Sequence, residues 1–327
     1  MTVELIDDMS LWDGFVSESP QGTIFSTSQW LEAACAAQGG EPRCLAVMAD
    51  GRLVAGATCV HIARGPLRKA STPVLTPYGG IVYRPDPGKR HSEAESFNMS
   101  CAEALDLYLT SRYHNVFLVH APGFTDVRPL TWADWKEHVR YSYVMDITDV
   151  DSLWGLLERR VRTVIRNAES SLELGGPIDT GSFTELYERI YRDRGTRLPV
   201  GSEVVRRFVD NVMKLDKAEM RTVRNEHGDI VSSMILVRDE RTVYAWLSGS
   251  VPGENSSGAF TLLFWDAVKR YTKECAKLDM VGANIASLAF FKKGFAGSLT
   301  PYYVTEYHRS KMTRLLFGAY SKLSWLL

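Results

Sequence analysis

The order of helices and strands predicted from the sequence repeats once along the chain, and this repeat constrains the fold most. Each half contains a helix, a hairpin, a strand, a second helix and a last strand. In the first half either Ser26 or Thr27 caps a helix that runs to about Gln38, and Asp50-Gly51 joins strands at Cys44–Ala49 and Arg52–Ile62. The repeat predicts an α/β protein with mixed sheets, built from two similar units in tandem.

The second half repeats this order with more helices. The predicted helices are Ser152–Glu173, Ser182–Arg194, Ser202–Lys214 and Ala259–Lys273. A short polar stretch of turn-forming residues, Asp146–Asp151, separates the halves. We therefore expect two domains, 1–148 and 149–327, the second carrying the donor site.

A strand and a short helix near the end of the second half hold two lysines beside the sheet. The apolar strand Leu278–Gly282 leads into a helix that ends with Lys292 and Lys293. Gly294 is the predicted helix stop, because glycine adopts the left-handed cap conformation without a Cβ penalty. Lysines held on such a fixed element suit an enzyme that neutralises negative charge developing during acyl transfer.

Composition excludes several classes of function. The five cysteines form no CxxC pair and the seven histidines have no metal-ligand spacing, which argues against a disulfide framework and a metal site. No apolar run reaches the ~18 residues of a membrane-spanning helix, and the acidic N-terminus lacks a signal-peptide pattern, so we expect a cytoplasmic protein. The net charge divides into −6 for residues 1–150 and +5 for residues 151–327. The basic half either attracts a polyanionic ligand or is a solvated surface.

Several segments together match one family. They are RRVRTVIRNAE from Arg159, YAWLSGS from Tyr244, GAFTLLFWDAV from Gly258, DMVGANIASLAFFKKGFAG from Asp279 and, more weakly, TPYGGIVY from Thr76. In these segments the second half resembles the GNAT acyltransferases, and the pairing of two such units resembles the Fem-type aminoacyltransferases. The resemblance implies two tandem GNAT-like domains that transfer an aminoacyl group from aminoacyl-tRNA to an amine. Because the chain lacks the long charged heptad insertion of larger relatives, no coiled-coil arm is expected.

The resemblance also assigns catalytic roles. It implies that Lys292 of the Phe-Lys pair stabilises the oxyanion beside the reacting ester, as a compact ammonium can. Without the resemblance, Lys292 reads as a solvated lysine at a helix end. Phe291 is expected to shape the wall of the acyl channel, and Lys293 is expected to contact phosphate. Asp279 could act as a base, although a carboxylate at the start of a strand more often caps a turn.

Three arginines form the candidate phosphate site. Arg159, Arg162 and Arg166 recur at i, i+3 and i+7, so they share one helix face. Guanidinium groups bind phosphate through two parallel donors, which suits a tRNA end or a pyrophosphate. The same spacing also fits a charged outer face of the helix.

Aromatic residues supply the candidate substrate contacts. Tyr78 lies between Pro77 and two glycines, where it either binds acceptor or packs at a sheet edge. Tyr244 and Trp246 alternate on one strand face. In the resembling fold that strand lies beside the donor cleft, whereas alternating aromatics elsewhere usually belong to a core.

The loop Gly249–Gly258 discriminates between donors. Coenzyme-A-dependent GNAT enzymes carry an Arg or Gln and small residues here, so that backbone N–H groups bind the pyrophosphate. The nearest alignment, Asn255 to Phe260, lacks the Arg or Gln and has Phe where a small residue is needed. The loop therefore favours aminoacyl-tRNA as co-substrate, with no cofactor. The resemblance implies a peptide, antibiotic or cell-envelope precursor as acceptor.

Two other hypotheses stay open. The first is an acyl-CoA-dependent N-acyltransferase acting on a sugar, polysaccharide or peptide amine. The second is a non-catalytic double-GNAT protein that binds RNA or a protein partner. The amphipathic tail Lys311–Leu327 either packs on the domain or makes peripheral contact with a membrane surface.

Overall fold

The computed structural model describes residues 1–85, 88, 90–251, 257–315 and 317 of the 327-residue chain. Packing divides the chain into two compact units. The first unit is Met1–Arg140 together with Pro301–Leu327, and the second is Tyr141–Thr300. The strands at residues 136–146 and 298–308 each contain residues of both units.

The first unit is a mixed sheet with helices. Its strands are β1 (Thr2–Leu5), β2 (Glu41–Ala49), β3 (Arg52–Arg64), β4 (Leu67–Ser71), β5 (Gly80–Tyr83) and β6 (Asn115–Val119). Its helices are α1 (Met9–Glu18), α2 (Ser28–Gln38), α3 (His91–Arg112) and α4 (Arg128–Trp132). The strands are ordered β1-β2-β3-β4-β6, with β5 paired to β3. Because β4 and β6 are parallel and the other pairs antiparallel, the sheet is mixed, as predicted.

Local sequence signals explain two features of the first unit. Asp50 and Gly51 have φ angles of 50° and 72°, which is the left-handed pair that a two-residue hairpin requires. The hairpin between β2 and β3 is therefore confirmed. The Thr27 hydroxyl accepts a hydrogen bond from the Trp30 N–H at 3.3 Å, which caps α2 as predicted.

The second unit contains the remaining elements. Its strands are the second part of β7 (Lys136–Asp146), β8 (Glu173–Gly175), β9 (Ala218–Arg224), β10 (Ile230–Arg238), β11 (Thr242–Ser250), β12 (Lys277–Asp279) and the start of β13 (Ser298–His308). Its helices are α5 (Val150–Leu156), α6 (Arg159–Ser171), α7 (Thr180–Asp193), α8 (Ser202–Val212), α9 (Ala259–Tyr271) and α10 (Ala286–Lys292). The sheet order is β7-β12-β11-β10-β9-β8, with β11 and β12 parallel. The buried residues of α6 and α9 form the core with one face of this sheet.

The predicted single helix Ser152–Glu173 is wrong, because the chain breaks between α5 and α6. Leu157 and Glu158 both have ψ angles of 142°, which is extended backbone. The Glu158 N–H donates to the Gly294 carbonyl at 3.0 Å. Arg162 donates to the last carbonyls of α5, at 3.0 Å for Gly155. These tertiary contacts satisfy the helix ends that the break exposes.

The predicted strand Leu278–Gly282 and the helix stop at Gly294 also need correction. The strand β12 ends at Asp279, because the next residues leave the sheet. The left-handed residue after α10 is Ala296, with a φ of 60°, whereas Gly294 lies in a 3-10 turn. A Cβ on Gly294 would lie 2.7 Å from Val161 Cγ2, so glycine is required here for the close approach of α6.

The structure describes only the first residues of the predicted C-terminal helix. Residues 311–315 are helical, and the Met312 and Leu315 side chains are exposed. The rest of the predicted helix Lys311–Leu327 lies largely outside the described residues, as do residues 252–256 of the loop Gly249–Gly258. None of the described helices is long and apolar enough to cross a bilayer.

Candidate active site

The sheet of the second unit opens where β11 and β12 separate. The two parallel strands pair only from Thr242 opposite Lys277 to Tyr244 opposite Asp279. Beyond this point β11 continues to Ser250, whereas the segment that follows β12 runs beside β7. The Ala283 N–H in this segment donates to the Tyr141 carbonyl at 2.7 Å. In α/β sheets, ligands bind at the carboxyl ends of strands, where neighbouring strands diverge. This opening is therefore the candidate active site.

A β-bulge lies on β11 next to the opening. Leu247 pairs with Ile235 and Ala245 pairs with Leu236, so Trp246 is the extra residue. Both candidate aromatics of β11 are buried. The Trp246 ring packs edge-on against Phe208 at 5.2 Å, and the Tyr244 hydroxyl donates to Asp239 at 2.8 Å. Burial raises the pKa of the Tyr244 phenol well above its usual value. The structure thus places both side chains in the packed interior, where they support the bulge.

The three residues that follow β12 form a strained loop. Val281 and Gly282 have φ angles of 48° and 74°. The left-handed region is unfavourable for a β-branched residue and costs on the order of 1–3 kcal/mol. Asp279 holds the loop: one carboxylate oxygen accepts from the Val281 N–H at 2.8 Å and from the Ser142 hydroxyl at 2.5 Å. Its position fits the cap of a turn, the second of its two predicted roles.

Lys292 is buried beneath this loop. Its Nζ donates to the carbonyl oxygens of Met280 at 2.7 Å and Val281 at 2.6 Å, and to that of Gly282. An ammonium has three donors, so all of them are engaged. Burial lowers the pKa of Lys292 to about 8, and the nearby Asp279 carboxylate opposes this shift. The predicted catalytic lysine is therefore fixed at the opening and is still mostly charged at neutral pH.

Phe291 joins an aromatic cluster between α9 and α10. Its ring lies 5.3 Å from that of Phe260, 5.9 Å from that of Phe264 and 5.2 Å from that of Phe295. Phe260 is the residue that replaces a small one at the start of α9. The cluster holds the first turn of α9 against the helix that carries Lys292.

The predicted arginines all lie on α6 but have different partners. Arg159 and Arg166 are exposed, and the Arg166 guanidinium lies 5.5 Å from the centre of the Trp154 ring. Arg162 is half-buried and donates to the carbonyls at the end of α5. Its guanidinium therefore has a structural partner, which leaves Arg159 and Arg166 as the exposed members of the set.

A cluster of one aromatic ring and two cations, formed between α6 and α10, was not predicted from the sequence. Phe290 is 58% exposed, and its ring lies 4.4 Å from the Arg160 guanidinium and 4.7 Å from Lys293 Nζ. Arg160 also donates to the Phe290 carbonyl at 2.8 Å and forms an ion pair with Glu158. Arg160 lies off the face shared by the other arginines. The sequence signal for this cluster was Phe290, which precedes Phe291 and the lysine pair.

Tyr78 belongs to the first unit and is 1% exposed. Its ring packs edge-on against Phe25 at 6.0 Å and Tyr302 at 5.2 Å. The structure thus places this residue in an aromatic core, which matches the packing role that was left open for it.

Metal ligands and reactive thiols do not cluster in the described part of the chain. No group of three or more His, Cys, Asp or Glu side chains there could hold a metal ion. Cys35, Cys44, Cys59, Cys101 and Cys275 are all buried. Burial raises the pKa of the Cys35 and Cys44 thiols to about 12, which keeps them protonated.

The start of α9 packs closely against α6. Gly258 has a φ of 81°, and a Cβ there would lie 2.6 Å from Val164 Cγ1 of α6. The helix thus begins at a glycine that close packing requires. The predicted loss of pyrophosphate binding rests on Asn255 and its neighbours, which fall outside the described residues.

Comparison with known proteins assigns the fold. Residues 157–293 match the family model described as an acetyltransferase (GNAT) domain. The whole chain is similar in structure to FemX, with a TM-score of 0.73 and 15% sequence identity over 98% of this chain and 99% of that one. No curated protein matches the chain significantly in sequence.

Two further structures share this architecture. The C-terminal domain of a candidate lysylphosphatidylglycerol synthetase from Agrobacterium fabrum has a TM-score of 0.58 and 12% identity, over 97% of this chain and 96% of that one. A tandem GNAT protein from the clavulanic acid biosynthesis pathway has a TM-score of 0.50 and 12% identity, over 94% and 99%. The chain thus has the fold of two tandem GNAT-like domains, and no coiled-coil arm occurs within its described ranges.

Proposed function

We propose that this protein, whose residues 157–293 are a GNAT acyltransferase domain, transfers an aminoacyl group from aminoacyl-tRNA to an amine. The observation that carries the proposal is the buried ammonium of Lys292 beneath the strained loop at the strand opening. A positive charge held there stabilises the negative charge that develops on an ester carbonyl under attack. The fold shared with FemX supports the same reaction class.

In this reaction each bond that forms is matched by a bond that breaks. The neutral amine of the acceptor attacks the ester carbonyl carbon, a carbon–nitrogen bond forms, and the carbonyl oxygen becomes an oxyanion. The oxyanion then collapses, the bond to the ribose oxygen breaks, and an amide remains. The proton lost by the amine reaches the ribose oxygen through solvent. The protein supplies orientation and a positive field, and no covalent intermediate on the protein is needed.

The exposed surface of α6 and α10 suits the RNA part of the donor. Phe290 offers a ring face on which an unpaired base can stack, and Arg160 and Lys293 lie against that ring. Arg159 and Arg166 extend the positive charge along α6. Because aromatic stacking between cations is typical of sites for single-stranded nucleic acid, we assign the unpaired 3′ end of the tRNA to this surface.

A transfer assay tests the donor. A mixed pool of tRNAs charged with radiolabelled amino acids is incubated with the protein and a cell extract as acceptor source, beside a panel of labelled acyl-CoA thioesters. The proposal predicts label in an amide product that forms only with charged tRNA and that is abolished when RNase precedes the reaction. Label from acyl-CoA alone would contradict the tRNA part of the proposal.

Matched variants test the binding surface. Phe290→Ala is expected to weaken binding of a charged tRNA by roughly tenfold, since stacking of one base contributes about 1–3 kcal/mol. Trp132→Ala is the control, because Trp132 is also an exposed aromatic with an arginine, Arg128, over its ring. Equal effects of the two substitutions would remove the assignment to Phe290.

An acyl-CoA-dependent N-acyltransferase is the second candidate. The family model that matches residues 157–293 is described as an acetyltransferase domain, and α9 has a glycine, Gly258, at its N-terminus. Helix N-termini bind phosphate groups well. In this case the same carbonyl chemistry takes place on a thioester, with a sugar, polysaccharide or peptide amine as acceptor.

A further inference from the structure

Three consecutive peptide groups above Lys292 face the same way. The carbonyl oxygens of Met280, Val281 and Gly282 all accept hydrogen bonds from Lys292 Nζ. The described chain contains no cis peptide bond, so each of these peptides is trans. In a trans peptide the N–H points away from the carbonyl. The three N–H groups, those of Val281, Gly282 and Ala283, therefore point away from the ammonium.

Two of these three N–H groups already have acceptors. The Val281 N–H donates to Asp279 at 2.8 Å, and the Ala283 N–H donates to the Tyr141 carbonyl at 2.7 Å. The N–H of Gly282 donates to no atom of the residues that the structure describes. Gly282 is partly exposed, at the point where β11 and β12 have separated. The opening thus contains one directed backbone donor that is available to a ligand.

The surroundings of this donor strengthen it. A charged donor on the Val281 carbonyl polarises the peptide that carries the Gly282 N–H, because hydrogen bonds in a chain reinforce one another. Asp279 binds the N–H of Val281 and Lys292 binds its carbonyl oxygen, and Val281 has a left-handed φ in this arrangement. Backbone strain of this kind is concentrated at functional sites, where it orients groups before the substrate binds.

We infer that the Gly282 N–H donates directly to the oxyanion, and that Lys292 is a positioning residue that turns and polarises this peptide. The inference rests on the proposed acyl transfer and applies to an ester or a thioester donor. As the amine attacks, the π electrons of the acyl carbonyl move to its oxygen, and that oxygen accepts the Gly282 hydrogen bond. When the carbon–oxygen or carbon–sulfur bond to the leaving group breaks, the carbonyl reforms and the hydrogen bond weakens.

Backbone ester substitution tests this donor. Glycolic acid is placed at position 282 by nonsense suppression, which replaces the Gly282 N–H with an ester oxygen and changes no side chain. The matched control is lactic acid at position 283, which removes the Ala283 N–H instead. In both variants a carbonyl facing Lys292 becomes a weaker ester acceptor, so the variants differ in which N–H is lost.

The inference predicts a drop in kcat of about 10²–10³-fold for the ester at 282, with KM and melting temperature little changed, as for loss of one oxyanion donor. The ester at 283 is expected to lower the melting temperature and to change kcat by less than tenfold. A loss of less than tenfold at 282, or a variant that fails to fold, would overturn the inference. Absence of transfer by the unmodified protein would contradict the proposed function itself.

A double variant separates the two roles of Lys292. If Lys292 acts through Gly282, then Lys292→Met combined with the ester at 282 loses no more kcat than the more impaired single variant. Losses that multiply would show that Lys292 stabilises the oxyanion independently, which would overturn its assignment as a positioning residue.

Discussion

The buried ammonium of Lys292 predicts an unusual dependence of stability on pH. Its pKa falls from 10.5 in the unfolded chain to about 8 in the folded protein, chiefly through burial, with Asp279 opposing. The difference corresponds to about 3 kcal/mol, at 1.36 kcal/mol for each pH unit. Between these two values the unfolded chain binds the proton and the folded protein does not. The contribution of this group to stability therefore rises as pH increases from 8 to 10.5.

Lys292→Met removes this titration and leaves a side chain of similar length. At pH 7 the variant loses the charge but also leaves three carbonyl oxygens without a donor, so we expect a net destabilisation of about 1–3 kcal/mol. From pH 8 to 10.5 the native protein gains stability from this group and the variant does not. The stability difference between the two proteins should therefore grow by up to about 3 kcal/mol.

Urea unfolding measured by circular dichroism between pH 7 and pH 10.5 tests this expectation. Titrations of other groups are common to both proteins and cancel in the difference. Lys293→Met is the control for loss of a lysine, because Lys293 is the exposed neighbour. A stability difference for Lys292→Met that stays constant across this pH range would refute the buried, carbonyl-bound ammonium.

Three further predictions concern the same unit. Asp279→Asn removes the carboxylate that raises the pKa of Lys292, so the alkaline limb of the kcat profile should move to lower pH; an unmoved limb would contradict their coupling. Gly294→Ala should destabilise the protein by about 1–3 kcal/mol, because its Cβ would lie 2.7 Å from a side-chain carbon of α6. Gly155→Ala, with no atom within 4 Å of the added Cβ, should leave the melting temperature unchanged or raised, and equal losses at both glycines would exclude the packing argument. The weaker binding of charged tRNA by Phe290→Ala, relative to the native protein, should persist at high salt, because stacking is not screened. A difference in affinity that disappears at high salt would mean that electrostatics rather than stacking dominates.

Local signals in the sequence predicted much of the fold. The Asp50-Gly51 hairpin and the Thr27 cap depend on residues within a few positions, and both are present. The break between α5 and α6 depends on the contact of Glu158 with Gly294, more than a hundred residues away, which no local signal encodes. Helical periodicity continued across it, and the predicted helix was therefore too long.

The candidate site was predicted in part. The family motif placed Lys292 beside the sheet, but its three carbonyl partners depend on a left-handed φ at Val281. Residue preferences disfavour that conformation for valine, so sequence reasoning could not supply it. The pairing of Arg160 with Phe290 joins α6 to α10 and was equally invisible in a helix considered alone.

Single-turnover transfer is the most direct test of the claim that this opening carries out acyl transfer. A saturating excess of native protein or of Lys292→Met is mixed with a charged tRNA that supports transfer, and amide formation is followed by rapid quench. We predict that the variant binds the tRNA with unchanged affinity but forms amide at least a hundredfold more slowly. Equal rates for the two proteins would contradict the account and place the chemistry elsewhere in the chain.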